Sequence, residues 1–177
     1  MKIIAFGASY SRASINKEFA AYAATQFDTH EVEVLDLNDY SLPLFTVDVE
    51  KELGQPQSAK DFVAKIEEAD ALIISVTEHN GNFSAAFKNL FDWLSRVKLN
   101  MFADKRMLLL STSPGQGGGQ YALEIARGRF PRHGGIVVAH FSLPKFGENY
   151  VKGQGITHEA LRGEFEAALQ TMKTALL

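Results

Sequence analysis

Five short apolar segments, separated by stretches of helical periodicity, are the feature that most limits how this chain can fold. The apolar segments cover residues 2–7, 31–37, 70–76, 105–112 and 135–143. Between the first two, Ile15, Phe19 and Tyr22 recur at the spacing of one helix face. Strand and helix are therefore predicted to alternate along the chain.

Four further helices are predicted from the same periodicity. They cover about 58–69, 84–97 and 119–130, and a terminal helix is marked by apolar residues from Leu161 to Leu176. Ser14, Ser58 and Ser84 stand where a hydroxyl can cap a helix, and Asp61 completes a capping pattern with Ser58. The segment that contains Pro43 and Pro56 is predicted to be looser.

The strands are apolar on both faces, which indicates a parallel sheet with helices on both sides. We therefore predict an α/β fold, a doubly wound five-stranded parallel sheet. The length of 177 residues is that of one ordinary domain, so residues 1–177 are predicted to form a single domain. Ligands of such sheets bind beyond the carboxyl ends of the strands, which makes the loops after strands one, three and four the candidate site.

Composition argues against several classes of function. A net charge of −3 supplies no basic surface for a phosphate backbone, so no nucleic-acid partner is expected. No apolar run is long enough to span a bilayer, and the first residues are read as a strand rather than as an export signal. We expect a cytoplasmic protein without a membrane partner. The chain has no cysteine, which excludes disulfides, thiolate nucleophiles and cysteine metal sites.

The loop after the first strand carries hydroxyl side chains directly before a helix. Ser9, Ser11 and Ser14 are followed by Asn16, and a helix N-terminus adds unpaired N–H groups and a positive dipole end. This combination favours a phosphate, and few cations nearby suit a single phosphate monoester such as that of FMN. The alternative is that Ser14 is only a helix cap and the other serines are turn residues.

Two other phosphate-binding motifs are absent. A P-loop ends in Gly-Lys-Ser/Thr, and this loop has no such ending. A dinucleotide fingerprint needs glycines where the loop carries Ser9 and Arg12. The stretch from Gly117 to Ala122 fits its looser form but lacks an acidic residue about 20 positions later, so we read that match as accidental.

The hydroxyl-rich loop resembles the phosphate loop of flavodoxin-like proteins, with Arg12 where they carry glycine. It is also similar to the loop Gly-Ser-x-Arg-x-x-Ser-x-Asn of the NADPH-dependent FMN reductase family. Ser9, Ser14 and Asn16 fall on that pattern, whereas Arg12 lies one place later than the family's arginine. The resemblance implies a flavodoxin-like fold and places the FMN phosphate beside a set of loop residues: Ser9, Ser11, Arg12, Ser14, Ile15 and Asn16.

The segment 77–96, TEHNGNFSAAFKNLFDWLSR, is similar to the family's Pro-Glu-Tyr-Asn-x-x-x-x-x-x-Leu-Lys-Asn-x-x-Asp-Trp. Its departures are Thr77 for proline and His79 for tyrosine. The resemblance implies that the flavin ring edge lies against the first residues of the segment: Thr77, Glu78, His79, Asn80 and Gly81. Asn-Gly is also a turn dipeptide that tolerates left-handed backbone, which lets main-chain donors approach a flat ring.

Other roles remain open for residues of this segment. His79 can be a surface histidine, since hydride transfer to a flavin needs no general acid from the protein. Trp93 is read as part of the core or of a subunit interface. Lys88 and Asp92 can form a surface pair, because they lie four residues apart on a predicted helix.

The glycine-rich segment 111–122, STSPGQGGGQYA, resembles the family's third flavin loop. The resemblance implies that Ser113, Pro114, Gly115 and Gly118 contact the cofactor, with backbone N–H groups toward its N1/O2 edge. The alternative is a flexible turn before a helix. Residues 143–150 are similar to a late loop of the same family.

Taken over the whole chain, the resemblance implies an FMN-dependent NAD(P)H oxidoreductase. NADPH or NADH would pass a hydride to FMN, and a small electron acceptor such as a quinone, azo compound, chromate or free flavin would then be reduced. Members of the family are usually homodimers or homotetramers. The alternatives are a flavodoxin-type electron-transfer protein, which a net charge of only −3 disfavours, and a flavin-free scaffold.

Overall fold

The computed structural model describes residues 1–177, which form nine strands and seven α-helices. The strands are β1 Lys2–Ala8, β2 Glu31–Leu35, β3 Ala71–Val76, β4 Glu78–His79, β5 Asn82–Phe83, β6 Arg106–Thr112, β7 Ile136–Leu143, β8 Tyr150–Val151 and β9 Gly155–Ile156. The helices are α1 Ile15–Ala24, α2 Val47–Leu53, α3 Gln57–Glu68, α4 Ala85–Val97, α5 Gln120–Arg129, α6 Phe146–Asn149 and α7 Glu159–Ala175. Short 3₁₀ helices cover Leu37–Asp39 and Phe130–His133.

The five long strands form one parallel sheet in the order β2-β1-β3-β6-β7. This is the flavodoxin-like doubly wound order, and the direction of winding reverses between β1 and β3. The predicted fold class is therefore confirmed. The remaining strands form two antiparallel hairpins, β4–β5 and β8–β9, outside the sheet.

Alternation along each strand divides the apolar side chains between two cores. Ile4 and Phe6 of β1 lie in a cluster of 27 buried residues that also contains buried residues of α3, α4 and α5. Ile3 and Ala5 face the opposite cluster of 20 residues, which α1 and α7 cover. Both faces of the sheet are thus buried, as the apolar strands predicted. None of the helices is long and apolar enough to cross a membrane.

Three local predictions were wrong. Ser58 does not cap α3, because that helix begins at Gln57 after Pro56 and has no side-chain cap. The predicted loose segment contains the helix α2, which Thr46 caps by accepting a hydrogen bond from the Val49 N–H. The second strand ends at Leu35 because the Asp36 carboxylate accepts a hydrogen bond from the Asn38 N–H and starts a 3₁₀ turn.

Two predicted helix caps are confirmed at the carboxyl end of the sheet. The Ser14 hydroxyl accepts a hydrogen bond from the Lys17 N–H, and the Ser84 hydroxyl accepts one from the Phe87 N–H. The Ser84 hydroxyl also donates to the carbonyl of Ala8, the last residue of β1. This second bond fixes the start of α4 against the first strand.

The buried side chain of Asn16 joins α1 to two strands of the sheet. Its Oδ1 accepts hydrogen bonds from the Ser75 hydroxyl at 2.7 Å and from the Thr112 N–H at 3.1 Å. Its Nδ2 donates to the Thr112 carbonyl at 3.0 Å. The first turn of α1 lies so close to the sheet that a Cβ on Gly7 would overlap the backbone of Asn16 and Lys17. A glycine at position 7 is therefore required by the packing.

We predict that Asn16→Ala lowers the free energy of unfolding of the ligand-free protein by about 3 kcal/mol, since it leaves several buried polar groups without partners. Urea unfolding followed by circular dichroism measures this change. The exposed Asn38→Ala substitution is the control and should change stability by less than about 0.5 kcal/mol. Equal effects of the two substitutions would contradict the structural role given to Asn16.

Candidate functional site

A cleft of about 320 Å³ lies at the carboxyl ends of β1, β3 and β6, beside the point where strand order reverses. Three loops contribute its walls. The lining residues are Ser9, Ser11, Ala13, Ser14, Ile15, Asn16, Thr77, Glu78, His79, Thr112, Ser113 and Pro114. The three loops selected from the sequence thus meet in one place.

Most of the predicted site residues line this cleft. Five of the predicted residues do not: Arg12, Asn80, Gly81, Gly115 and Gly118. Ala13 and Thr112 also line it and are not among the predicted site residues. Thr112 was recognisable as the last residue of the fourth predicted strand, where ligands of such sheets bind.

The loop after β1 presents a row of backbone N–H groups without protein acceptors. The N–H groups of residues 12–16 make no hydrogen bond within the protein, whereas the Ser11 N–H donates to the Ser9 hydroxyl at 3.1 Å. These free donors lie at the positive end of α1. Such a set of donors at a helix N-terminus is suited to bind an anion.

Three of the four serine and asparagine side chains of this loop already have partners, and the Ser9 hydroxyl is one of them. The Ser14 hydroxyl caps the helix, and the Asn16 amide bonds β3 and β6. Contact of Asn16 with a phosphate stays a prediction: its backbone N–H is free, and its Nδ2 group donates one hydrogen bond to the Thr112 carbonyl. The exposed Ser11 hydroxyl makes no hydrogen bond within the protein.

The cations of the β1 loop, of α1 and of α5 differ in whether a carboxylate pairs with them. Lys17 forms an ion pair with Asp36, and this hydrogen bond lowers the pKa of the Asp36 carboxyl to about 2. Arg127 pairs with Glu124 at 2.5 Å. Arg12 is exposed and forms no ion pair, so it is the cation of the loop that is available to a ligand.

The second wall is the β4–β5 hairpin. Asn80 and Gly81 occupy its turn with φ of 54° and 74°, which confirms the left-handed backbone predicted for this dipeptide. His79 is exposed on the first strand of the hairpin. The Glu78 carboxylate turns away to α5, where its Oε2 accepts hydrogen bonds from the Tyr121 and Ala122 N–H groups at 2.8 and 3.1 Å.

The glycine-rich loop forms the third wall, and neighbouring segments hold it. Gly118 has φ of 60°, and its carbonyl accepts a hydrogen bond from the Ser142 hydroxyl at 3.0 Å. The Ser113 and Gly115 carbonyls accept hydrogen bonds from the backbone N–H groups of Phe146 and Lys145, at the start of α6. The loop is therefore bound to the protein along its length, which argues against the alternative of a flexible turn.

One buried polar atom of the cleft has no partner. The Thr77 hydroxyl is buried and makes no hydrogen bond, although Thr77 lines the cleft. A buried hydroxyl without a partner is unusual, and a polar ligand is one way to satisfy it. Thr77 stands where the resembling family carries proline, which has no such group.

A larger cleft of about 610 Å³ lies elsewhere, between α1 and the β8–β9 hairpin. Its walls include Tyr22, Tyr150 and Lys152, and none of its lining residues belongs to the carboxyl ends of the sheet strands. Size alone does not make it the site, and we place the site at the smaller cleft.

Two of the open alternatives for the 77–96 segment are resolved. Trp93 is fully buried, and its Nε1 donates to the Pro43 carbonyl at 2.8 Å, so it belongs to the core. Lys88 and Asp92 form the predicted pair at 2.7 Å on the surface of α4. The Asn89 amide also bonds the 43–45 segment. These matching residues build the scaffold rather than the cleft.

Comparison with known proteins gives relatives among quinone reductases. A NADPH:quinone oxidoreductase of Arabidopsis thaliana is 38 % identical over 90 residues, which are 51 % of this chain and 44 % of that protein. A 2-hydroxy-1,4-benzoquinone reductase of Burkholderia is 30 % identical over 130 residues, 72 % of this chain and 69 % of that protein. The match thus spans less than half the length of the Arabidopsis protein and about two thirds of the Burkholderia protein.

Solved structures agree on the fold. The flavoenzyme NAD(P)H:(acceptor) oxidoreductase of Paracoccus denitrificans superposes with a TM-score of 0.71 at 21 % identity, covering 98 % of this chain and 97 % of that one. Residues 1–148 match the model of one family, described as NADPH-dependent FMN reductase. This matched range contains all three walls of the cleft. The chain therefore belongs to the NADPH-dependent FMN reductase family.

Proposed function

We propose that this protein is an FMN-dependent NAD(P)H oxidoreductase that reduces a small acceptor. The observation that carries the proposal is the row of free backbone N–H groups at residues 12–16. Their loop lines one cleft together with the β4–β5 hairpin and the glycine-rich loop. Family membership supports FMN as the cofactor and a nicotinamide nucleotide as the reductant.

The residues of the cleft fit FMN. Free N–H groups, the Ser11 hydroxyl and the dipole of α1 suit a terminal phosphate, and Arg12 is the nearby cation without a partner. The hairpin contributes Glu78 and His79 to the cleft, and the glycine-rich loop contributes Ser113 and Pro114, so a flat ring can lie between these two loops. Thr77 adds a buried hydroxyl without a partner.

The cofactor, when bound, supplies the chemistry of accepting a hydride from nicotinamide and passing electrons to the acceptor. The protein would bind, orient and shield it. Asn16 would hold the phosphate-binding turn against the strands, and Ser84 would hold the hairpin side against β1. Backbone donors of the glycine-rich loop would stabilise negative charge on the ring. No side chain is required as a general acid, so we assign none.

The acceptor we propose is a quinone or a similarly flat oxidant such as an azo compound. Support comes from the names of the two curated relatives, both quinone reductases. For the reductant, we propose NADPH rather than NADH, since the family that the chain belongs to is described as NADPH-dependent. A single domain over residues 1–177 and a cytoplasmic location stay predictions.

The alternative function is a flavodoxin-type electron-transfer protein. Such carriers dock on basic partners through a strongly acidic surface, and a net charge of −3 gives little steering of that kind. The family match and the names of the relatives both favour the reductase. We therefore keep the reductase as the proposal.

We also propose that the chain assembles as a homodimer or homotetramer. Helix α2 buries none of its residues, and Val47 and Leu53 on it are 58 % and 61 % exposed. Leu44, just before this helix, is 75 % exposed. Burial of these apolar side chains against another copy would be favourable.

Light scattering of the purified protein tests this assembly and should give the mass of two or four chains. The mass of one chain would contradict the proposal.

The proposed activity is tested by absorbance of the purified protein after addition of FMN, followed by anaerobic titration with NADPH and, separately, NADH. We expect bound FMN with a visible spectrum distinct from free FMN, bleached faster by NADPH than by NADH. Mixing the reduced protein with benzoquinone should then restore the oxidised spectrum of the bound FMN. Each change is followed in a stopped-flow spectrometer.

The same titration separates the alternatives. Bound FMN that neither nucleotide reduces would contradict the reductase and favour an electron carrier. Absence of any FMN binding would overturn the proposal altogether. Equal rates with NADPH and NADH would contradict only the preference proposed for NADPH.

A further inference from the structure

The Glu78 side chain makes a contact that the function proposed above does not use. Its carboxylate lies at the N-terminus of α5, with Oε2 2.8 Å from the Tyr121 nitrogen and 3.1 Å from the Ala122 nitrogen. These residues are more than 40 positions away in sequence. Among the hydrogen bonds of the protein, these two alone join residues 77–83 to residues 111–122.

Helix α5 needs a cap from elsewhere. Its N-cap residue is Gly119, which has φ of 80° and no side chain to cap the helix. A Cβ at Gly119 would also approach the Ser111 Cβ to 3.1 Å, a tight contact. A serine or aspartate at this position is thus disfavoured by conformation and by space, so the first turn depends on an acceptor from another segment.

The hairpin in turn has few other polar anchors beside α5. Its end is fixed by Ser84 to β1, and Phe83 packs on Phe87 and Phe130 at ring distances of 5.3 and 5.9 Å. The turn at Asn80 and Gly81 is exposed, and a Cβ at Gly81 would meet no atom within 4 Å. The position of the hairpin along the axis of α5 is therefore set largely by the Glu78 carboxylate.

We propose that Glu78 is a positioning residue that fixes the second wall of the cleft relative to the third. This inference rests on the proposed function, because those two walls are the ones assigned to the flavin ring. The carboxylate bonds the backbone where the glycine-rich loop passes into α5, and its own backbone lies in the β4–β5 hairpin. A negative charge at a helix N-terminus is also favourable, so the contact is stable.

The resemblance of the sequence to its family assigned Glu78 to the flavin ring edge. The structure instead commits its side chain to α5. Glu78 therefore acts on a bound ring through the position of the two loops, and His79 is the other hairpin residue that lines the cleft.

The experiment compares Glu78→Ala, Glu78→Asp and Glu78→Gln with the control Glu124→Gln. Glu124 is an exposed acid on the same helix that pairs only with Arg127. Three readouts are taken: the Kd of FMN for the apo-protein by fluorescence quenching, visible circular dichroism of bound FMN at saturation, and thermal unfolding of the apo-protein.

We expect Glu78→Ala to weaken FMN binding about tenfold or more and to change the visible circular dichroism even when FMN is saturating. Glu78→Asp, one methylene shorter, should behave like Glu78→Ala. Glu78→Gln keeps an acceptor oxygen of the same reach and should restore the Kd to within about threefold of wild type. Glu124→Gln should leave both flavin readouts unchanged, because it alters charge on α5 without touching the contact.

Three results would overturn the proposal. Unchanged Kd and circular dichroism in Glu78→Ala would show that the contact does not position the ring. A lower thermal midpoint with an unchanged spectrum of bound FMN would show a helix cap only. If Glu78→Ala fails to fold, a wild-type spectrum and Kd in Glu78→Asp would contradict it. A wild-type protein that binds no FMN would overturn the proposed function as well, which distinguishes the two failures.

Discussion

The buried amide of Asn16 is the interaction on which the rest of the site depends. A primary amide carries both a donor and an acceptor, and here it satisfies the hydroxyl of Ser75 on β3 and both backbone groups of Thr112 on β6. An apolar residue would leave these buried groups unpaired, and a carboxylate could not donate to the Thr112 carbonyl. The amide therefore fixes the start of α1 over the switch point of the sheet.

Further hydrogen bonds hold the neighbouring loops at the carboxyl end of the sheet. The Thr112 hydroxyl donates to the Leu143 carbonyl of β7 at 2.7 Å, and Ser84 bonds the end of β1. The Glu78 carboxylate then joins the hairpin to α5. Polar groups that are satisfied by the protein thus hold the three loops, while the backbone N–H groups at residues 12–16 are left free for a ligand. A rigid frame with unpaired donors inside it is a preorganised site.

The sequence predicts the sheet and its three loops because buried parallel strands give continuous apolar segments, and Ser14 and Ser84 cap helices through local bonds. Features that depend on distant segments were not predictable. Asn16 and Glu78 bond residues far away in sequence, so their patterns cannot reveal that the side chains already have partners. Helix α2 fully buries no residue, and Val49 is its one apolar residue that packs against the core, so its seven residues carry no apolar stripe that predicts a helix.

The central claim is that the loop after β1 binds the phosphate of FMN. The most direct test is to measure the affinity of the apo-protein for FMN and for riboflavin, which has the same ring but no phosphate, under identical conditions by fluorescence quenching. Charge-assisted hydrogen bonds to the free N–H groups predict that FMN binds about 100-fold more tightly than riboflavin. Equal affinities for the two flavins would contradict the account.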